Sequence, residues 1–201
     1  MKAIFEKIAG EIAEESLKDL TRYIVEVHHA YLRSELPSLG RTIAKLENFH
    51  DAGHPEIAAL RRALLRLTDE LHAHMKKEET ILFPAIRRIE QALEEKRGLP
   101  ASSFGSIRNP IWMMEQEHNG IISILREIRA LTGDYTMRDP ECEMYRVLSQ
   151  ALQALESDIY DHIELENNVV FPKAMRLEEA LLNGRENGAR QQPLHPAELV
   201  Q

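Results

Sequence analysis

The chain has 201 residues, a net charge of −8 and 43% apolar residues, a composition that fits one globular core and argues against nucleic acid as a partner. No uncharged apolar run reaches the roughly 18 residues of a membrane span. Cys142 is the only cysteine, which excludes an internal disulfide, and the acidic N-terminus does not read as a signal peptide, so we expect a cytoplasmic protein.

Apolar residues recur at helical spacing along most of the chain. Ser16 and Asn109 are predicted N-caps of long helices, and Pro110 falls in the first turn after Asn109. A short leader helix is predicted within residues 1–16, followed by a single helical domain over 17–182 and a disordered tail over 183–201. The long helices of the domain are predicted at about residues 16–48, 55–96, 109–131 and 140–182.

Short loops between long helices predict antiparallel neighbours. The expected fold is therefore all-α: an up-down-up-down antiparallel four-helix bundle with a short N-terminal helix. Pro37, Pro84 and Pro172 fall inside helical patterns, and each is expected to kink or locally break its helix.

Two segments, 88 residues apart, repeat one pattern. His74-x-x-x-Glu78 and His162-x-x-x-Glu166 are each followed, five residues after the glutamate, by Phe-Pro. Residues i and i+4 lie on one face of a helix, so each segment presents an imidazole and a carboxylate in a column. This pattern is typical of a two-metal site built by a duplicated helix pair.

The apolar stripe of each long helix is interrupted by a histidine, and in two helices also by a glutamate. Burying an unpaired carboxylate costs several kcal/mol, and a cation that both glutamates bridge removes this cost. The predicted metal ligands are His29, His74, Glu78, His118, His162 and Glu166.

Four imidazoles and two carboxylates favour two iron ions joined by an oxo or hydroxo bridge. Manganese accepts the same donors and stays open as an alternative, whereas structural zinc prefers thiolates. His28 replaces His29 as a ligand if the first long helix is rotated.

Acidic residues near the ligands are candidates to accept a hydrogen bond from the outer imidazole nitrogens. Glu70 and Asp158 each lie four residues before a ligand histidine, and Glu117 is adjacent to His118. The alternative for these three is a solvated charge, or for Glu117 a place along an access path. Glu79 is expected to point away from the site.

Five segments carry a resemblance to a known family. They are His29 with Glu35-Leu36-Pro37-x-Leu39; His74-Met75-Lys76-Lys77-Glu78-Glu79-x-x-Leu82-Phe83-Pro84; Pro110-Ile111-x-x-Met114-x-x-Glu117-His118; Leu131-Thr132; and His162-x-x-Leu165-Glu166-Asn167-Asn168-x-x-Phe171-Pro172. Over about residues 17–178 the chain resembles the hemerythrin-like di-iron proteins and, more narrowly, the Repair of Iron Centers family. The resemblance implies a non-haem di-iron centre with bridging glutamates, acting in the response to nitrosative and oxidative stress.

This resemblance implies nitric oxide or oxygen as small ligands and damaged iron–sulfur proteins as partners. Either cluster repair or reduction of nitric oxide is then expected; the alternative is a hemerythrin-like module that binds, stores or senses oxygen or nitric oxide. Typical family members carry an additional N-terminal domain with a cysteine pair. Only about 16 residues precede the first long helix here, so we expect the di-iron domain without thiol-assisted iron delivery. No hydrolase, transferase or kinase motif is present.

Overall fold

The computed structural model describes residues 15–49, 55–136 and 143–190, and these form an all-α four-helix bundle. The predicted fold class is therefore confirmed. Three of the four helices contain a short π-helical turn between two α-helical stretches. In chain order the stretches are Leu17–Tyr23, Ile24–His29 and Ala30–Phe49 (helix α1); Pro55–Lys77, Glu78–Leu82 and Phe83–Glu94 (α2); Arg108–Leu131 (α3); and Glu143–Leu165, Glu166–Val170 and Phe171–Arg190 (α4).

Helix α1 begins as predicted. The Ser16 side chain accepts the backbone N–H of Asp19 at 3.0 Å. Two further N–H groups of this first turn are bound from α2, because the Glu90 carboxylate accepts from Leu17 at 2.6 Å and from Lys18 at 2.8 Å. These bonds satisfy donors that a helix start leaves without intrahelical partners, and they join the beginning of α1 to the end of α2.

The predicted N-cap of α3 is wrong. The helix begins at Arg108, and Asn109 lies inside it. The backbone N–H of Ile107 instead donates to Glu178 Oε1 at 2.8 Å, and Glu178 Oε2 accepts from the Ser106 hydroxyl at 2.6 Å. A carboxylate from α4 thus takes the role that the sequence assigned to a local asparagine.

Two of the three prolines follow π-helical turns. Before Pro84, the Phe83 N–H donates to the carbonyl of Glu78, five residues back. Pro172 follows the equivalent turn, Glu166–Val170. A π-turn interrupts the α-helical ladder, which agrees with the local break predicted at these two positions.

Other boundaries differ from the predicted ones. The stretch Ala30–Phe49 is continuous α-helix through Pro37, so of the kink or break predicted there the break does not occur. Helix α2 ends at Glu94 rather than near Lys96, and α4 continues to Arg190 rather than ending at Leu182. The predicted leader up to residue 14 and the predicted tail from 191 lie outside the described residues.

The buried apolar side chains form two clusters along the bundle. One contains α1 from Leu32 onward and α4 up to Ile163, and the other contains α1 up to Ile24 and α4 from Leu165 onward. Complete burial of a Leu, Ile or Phe side chain stabilises the folded state by about 1.5–3 kcal/mol. The interval between the clusters is where each helix places its buried histidine. Each helix within the described ranges is either too short or too polar to span a lipid bilayer.

Candidate metal centre

Six polar side chains fill the layer between the two apolar clusters. Every helix contributes one histidine to this layer, and α2 and α4 each add a glutamate that opens a π-helical turn. All six are no more than 1% exposed: His29, His74, Glu78, His118, His162 and Glu166. These are the six ligands predicted from the sequence, and the fold brings all of them together.

The six side chains form two overlapping groups that are able to hold a metal ion. Position 1 is defined by His29 and His162, and position 2 by His74 and His118; both also include the two glutamates. Within each group, the four candidate ligand atoms lie within 4.8 Å of one another. Each position therefore offers two imidazole nitrogens and two carboxylate oxygens, with both carboxylates shared.

The two oxygens of each glutamate face different positions. Oε2 of Glu78 lies 3.2 Å from His29 Nε2, and Oε1 lies 3.3 Å from His74 Nε2. Glu166 repeats the arrangement, with Oε1 3.1 Å from His162 Nε2 and Oε2 3.1 Å from His118 Nε2. This is the geometry of two bridging carboxylates.

Several atoms that face the two positions lack hydrogen bonds within the described residues. They are both oxygens of Glu78, both oxygens of Glu166, and Nε2 of His29 and His162. Buried polar groups are normally satisfied, and a buried carboxylate without a partner costs several kcal/mol. Cations bound at the two positions would supply the missing partners. Imidazole and carboxylate donors together fit iron or manganese.

The electrostatics of the metal-free layer point the same way. Burial lowers the pKa of His74, but the neighbouring carboxylates, Glu78 first and then Glu117 and Glu166, together outweigh burial and raise the pKa to about 10. The pKa of His29 is raised for the same reason, again against the effect of burial. Burial opposes ionisation of Glu166, yet His162 and His118 together hold its pKa well below the usual range. The layer thus favours positive charge beside its two carboxylates, and a bound cation would supply that charge.

Two histidines are oriented by carboxylates that contact Nδ1, the ring nitrogen facing away from the metal positions. Glu79 Oε1 lies 2.6 Å from His29 Nδ1 and also contacts Arg33. The expectation that Glu79 points away is wrong, because its side chain reaches across to α1. Glu117 Oε2 lies 3.1 Å from His74 Nδ1. Glu117 therefore contacts an outer imidazole nitrogen, as predicted from the sequence.

A third histidine, His118, is oriented by Asn167, whose Oδ1 lies 3.1 Å from His118 Nδ1. The sequence reasoning missed this residue. Asn167 follows Glu79 by 88 residues, the period of the repeat. That period was the available signal, since equivalent positions contact equivalent histidines.

Glu70 and Asp158 do not serve the histidines that follow them. Glu70 is exposed, and the outer nitrogen of His74 faces Glu117 on α3 instead. Asp158 Oδ1 lies 2.9 Å from His28 Nδ1 instead. These two predicted acceptors are therefore wrong as assigned.

His28 lies beside the layer but in neither group. Its ring stacks on that of His162, with 5.4 Å between centroids and 9° between planes. Between the two adjacent histidines, it is His29 that faces Glu78, as the sequence favoured.

A four-helix bundle with a central histidine and glutamate layer defines the hemerythrin class of cation-binding proteins. Residues 20–174 match the family described as the hemerythrin HHE cation binding domain, and the chain belongs to this family. It is 34% identical over 160 residues to the iron–sulfur cluster repair protein YtfE of Escherichia coli O157:H7, which covers 79% of this chain and 66% of the relative.

The YtfE proteins of Yersinia pseudotuberculosis serotype IB (strain PB1/+) and Yersinia pestis (strain Pestoides F) are 32% identical over 163 residues, which covers 81% of this chain and 68% of each relative. The chain thus spans about two thirds of the length of these relatives. The resemblance to hemerythrin-like repair proteins predicted from the sequence is confirmed.

Proposed function

We propose that the chain is a non-haem di-iron protein of the nitrosative and oxidative stress response that takes part in repairing damaged iron–sulfur clusters. One observation carries the proposal: two buried metal positions share both glutamates. The name of the relatives, iron–sulfur cluster repair protein, supports the biological role. The cytoplasm, where cluster-containing enzymes work, is the proposed location.

In this proposal His29 and His162 hold one iron, and His74 and His118 hold the other. Glu78 and Glu166, which belong to both groups, would hold both irons and offset their charge. A reduced iron pair held there would supply two electrons, the number needed to reduce two molecules of nitric oxide to nitrous oxide. The outer acceptors keep the imidazole planes turned toward the metals, and the apolar clusters exclude bulk water.

Burial of all six side chains to 1% exposure or less favours a small reactant. Nitric oxide and oxygen satisfy this limit. The same observation supports the alternative function, a hemerythrin-like module that binds, stores or senses one of these gases. The two functions differ in whether iron or electrons leave the centre.

The first experiment is anaerobic purification followed by metal analysis. Two irons per chain are expected. The reduced protein is then mixed with nitric oxide, or with an apo iron–sulfur acceptor protein, while Mössbauer spectra and nitrous oxide are recorded. Transfer of iron to the acceptor supports repair, nitrous oxide supports reduction, and a stable reversible adduct supports the binding module. Zinc, or a folded protein without metal, would contradict the di-iron proposal.

A further inference from the structure

The two halves of the metal layer are related by the repeat, and the repeat breaks at one position beside it. His118 follows His29 by 89 residues, so Glu117 in the second half corresponds to His28 in the first. The ligands themselves are matched between the halves. The residue directly before the ligand histidine differs between the halves. It is His28, an imidazole, in α1 and Glu117, a carboxylate, in α3.

This difference changes the support of one ligand. Glu117 accepts a hydrogen bond from His74, with 3.1 Å between Oε2 and Nδ1. The equivalent histidine on α4 is His162, and His28 only stacks on its ring. Nδ1 of His162 is buried and has no hydrogen-bond partner among the described residues.

A carboxylate is nevertheless close by in sequence and on the same helix. Asp158 lies four residues before His162, and its Oδ1 is 2.9 Å from Nδ1 of His28. The side chains of His28 and Asp158 are 9% and 19% exposed, so the pair is largely shielded from solvent. Oδ2 of Asp158 is buried without a hydrogen bond within the described residues. His28 thus fixes the orientation of this carboxylate through Oδ1, and in that orientation neither oxygen bonds His162 within the described residues.

The two metal positions therefore have unequal support. Position 2 has an acceptor behind both histidines, Glu117 behind His74 and Asn167 behind His118. Position 1 has Glu79 behind His29 and no acceptor in the described chain behind His162. An outer acceptor raises the basicity of an imidazole ligand, and its loss typically lowers metal affinity about ten- to hundredfold.

We propose that the two irons differ in lability, and that position 1 releases its iron first because His28 holds the Asp158 carboxylate in an orientation in which neither oxygen bonds His162. The proposal rests on the di-iron centre proposed above and assigns the exchangeable iron within it. His28 is a positioning residue: it acts on the metal through Asp158 and His162.

The test follows iron release rather than activity. The protein is loaded anaerobically with two equivalents of ⁵⁷Fe(II) and mixed with excess of a chromogenic ferrous chelator. We expect two kinetic phases of one iron each, and a Mössbauer spectrum that loses one of two doublets during the fast phase. Two equal rates would overturn the proposal.

Paired substitutions at His28 identify the cause. His28→Phe keeps a ring against His162 but removes the N–H donor, so Asp158 becomes free to accept from His162. We expect the fast phase to slow about tenfold or more, with the slow phase unchanged. His28→Asn places an amide N–H where Nδ1 stands and is expected to retain the wild-type fast phase. An unchanged fast phase in His28→Phe contradicts the proposed role.

A variant in the other half gives an independent readout. Glu117→Gln removes the charge behind His74 and should accelerate only the slow phase, by about tenfold. Glu70→Gln, at an exposed position of α2, is the matched control and should leave both phases unchanged. Circular dichroism shows whether His28→Phe folds. If it does not, Glu117→Gln and its control Glu70→Gln test the assignment, since acceleration of the fast phase by Glu117→Gln would overturn it. Fewer than two irons at the start contradicts the di-iron proposal itself and is distinguishable from equal release rates.

Discussion

Glu78 and Glu166 carry more of the site's geometry than any single histidine, since each glutamate faces both metal positions. Their His-x-x-x-Glu spacing makes these residues and the four core histidines predictable from the helical period. The outer contacts were harder to predict. Glu79 and Asn167 reach histidines on other helices, and Asp158 is diverted to His28. Such contacts depend on how the helices are rotated against each other, which the period of a single helix does not contain.

Replacing Glu78 by glutamine should affect both metals together. The substitution removes one of two bridging charges while keeping the size of the side chain. We expect the iron content to fall from two per chain to one or fewer, measured by metal analysis after anaerobic loading and gel filtration. Glu164→Gln, at an exposed position of α4, is the control. Full occupancy of the Glu78→Gln variant by two irons would argue against bridging.

Helices α1 and α3 both begin with help from a carboxylate on another helix. Glu90 binds the first turn of α1, and Glu178 binds the N–H of Ile107 before α3. Local signals predicted the first start correctly through Ser16 but placed the second on Asn109. A cap supplied from about 70 residues away along the chain has no signature in the flanking sequence.

Removal of the Glu178 carboxylate should destabilise the bundle. Glu178 is 3% exposed, and its loss in Glu178→Ala leaves the buried Ile107 N–H without its acceptor. We expect the free energy of unfolding to fall by about 1–3 kcal/mol, measured by urea denaturation. Glu179→Ala is the neighbouring control, because Glu179 is exposed and its ion pair is with the exposed Arg108. Equal effects of the two substitutions would show that the cap contributes little.

The whole bundle consists of two apolar clusters separated by a charged layer. The alternation of apolar stripes with single histidines allowed this division to be predicted, since ligands interrupt all four stripes at one level. The lengths of the ends were less predictable. Helix α4 continues through a polar stretch to Arg190, where composition indicated a tail.

Removal of the metals should lower the stability of the entire molecule. A ligand present at about 100 times its dissociation constant stabilises the folded state by about 2.7 kcal/mol. For a chain of this size each kcal/mol corresponds to about 2–4 °C. We therefore expect the midpoint of thermal unfolding to fall by at least about 5–10 °C after chelation, measured by scanning calorimetry. Add-back of ferrous iron should restore it, and an unchanged midpoint would mean that the buried charges are balanced without metal.

Each half of the repeat contributes one glutamate, so the ligand set has an approximate two-fold symmetry. A half consisting of two helices carries two histidines and one glutamate, and two identical halves would make the same six-ligand set around a two-fold axis. In such a symmetric assembly every change would appear twice, and the two metals would stay equivalent. Joining the halves in one chain removes that restraint. A single residue such as His28 is then free to set the behaviour of one metal while its counterpart, Glu117, sets the other.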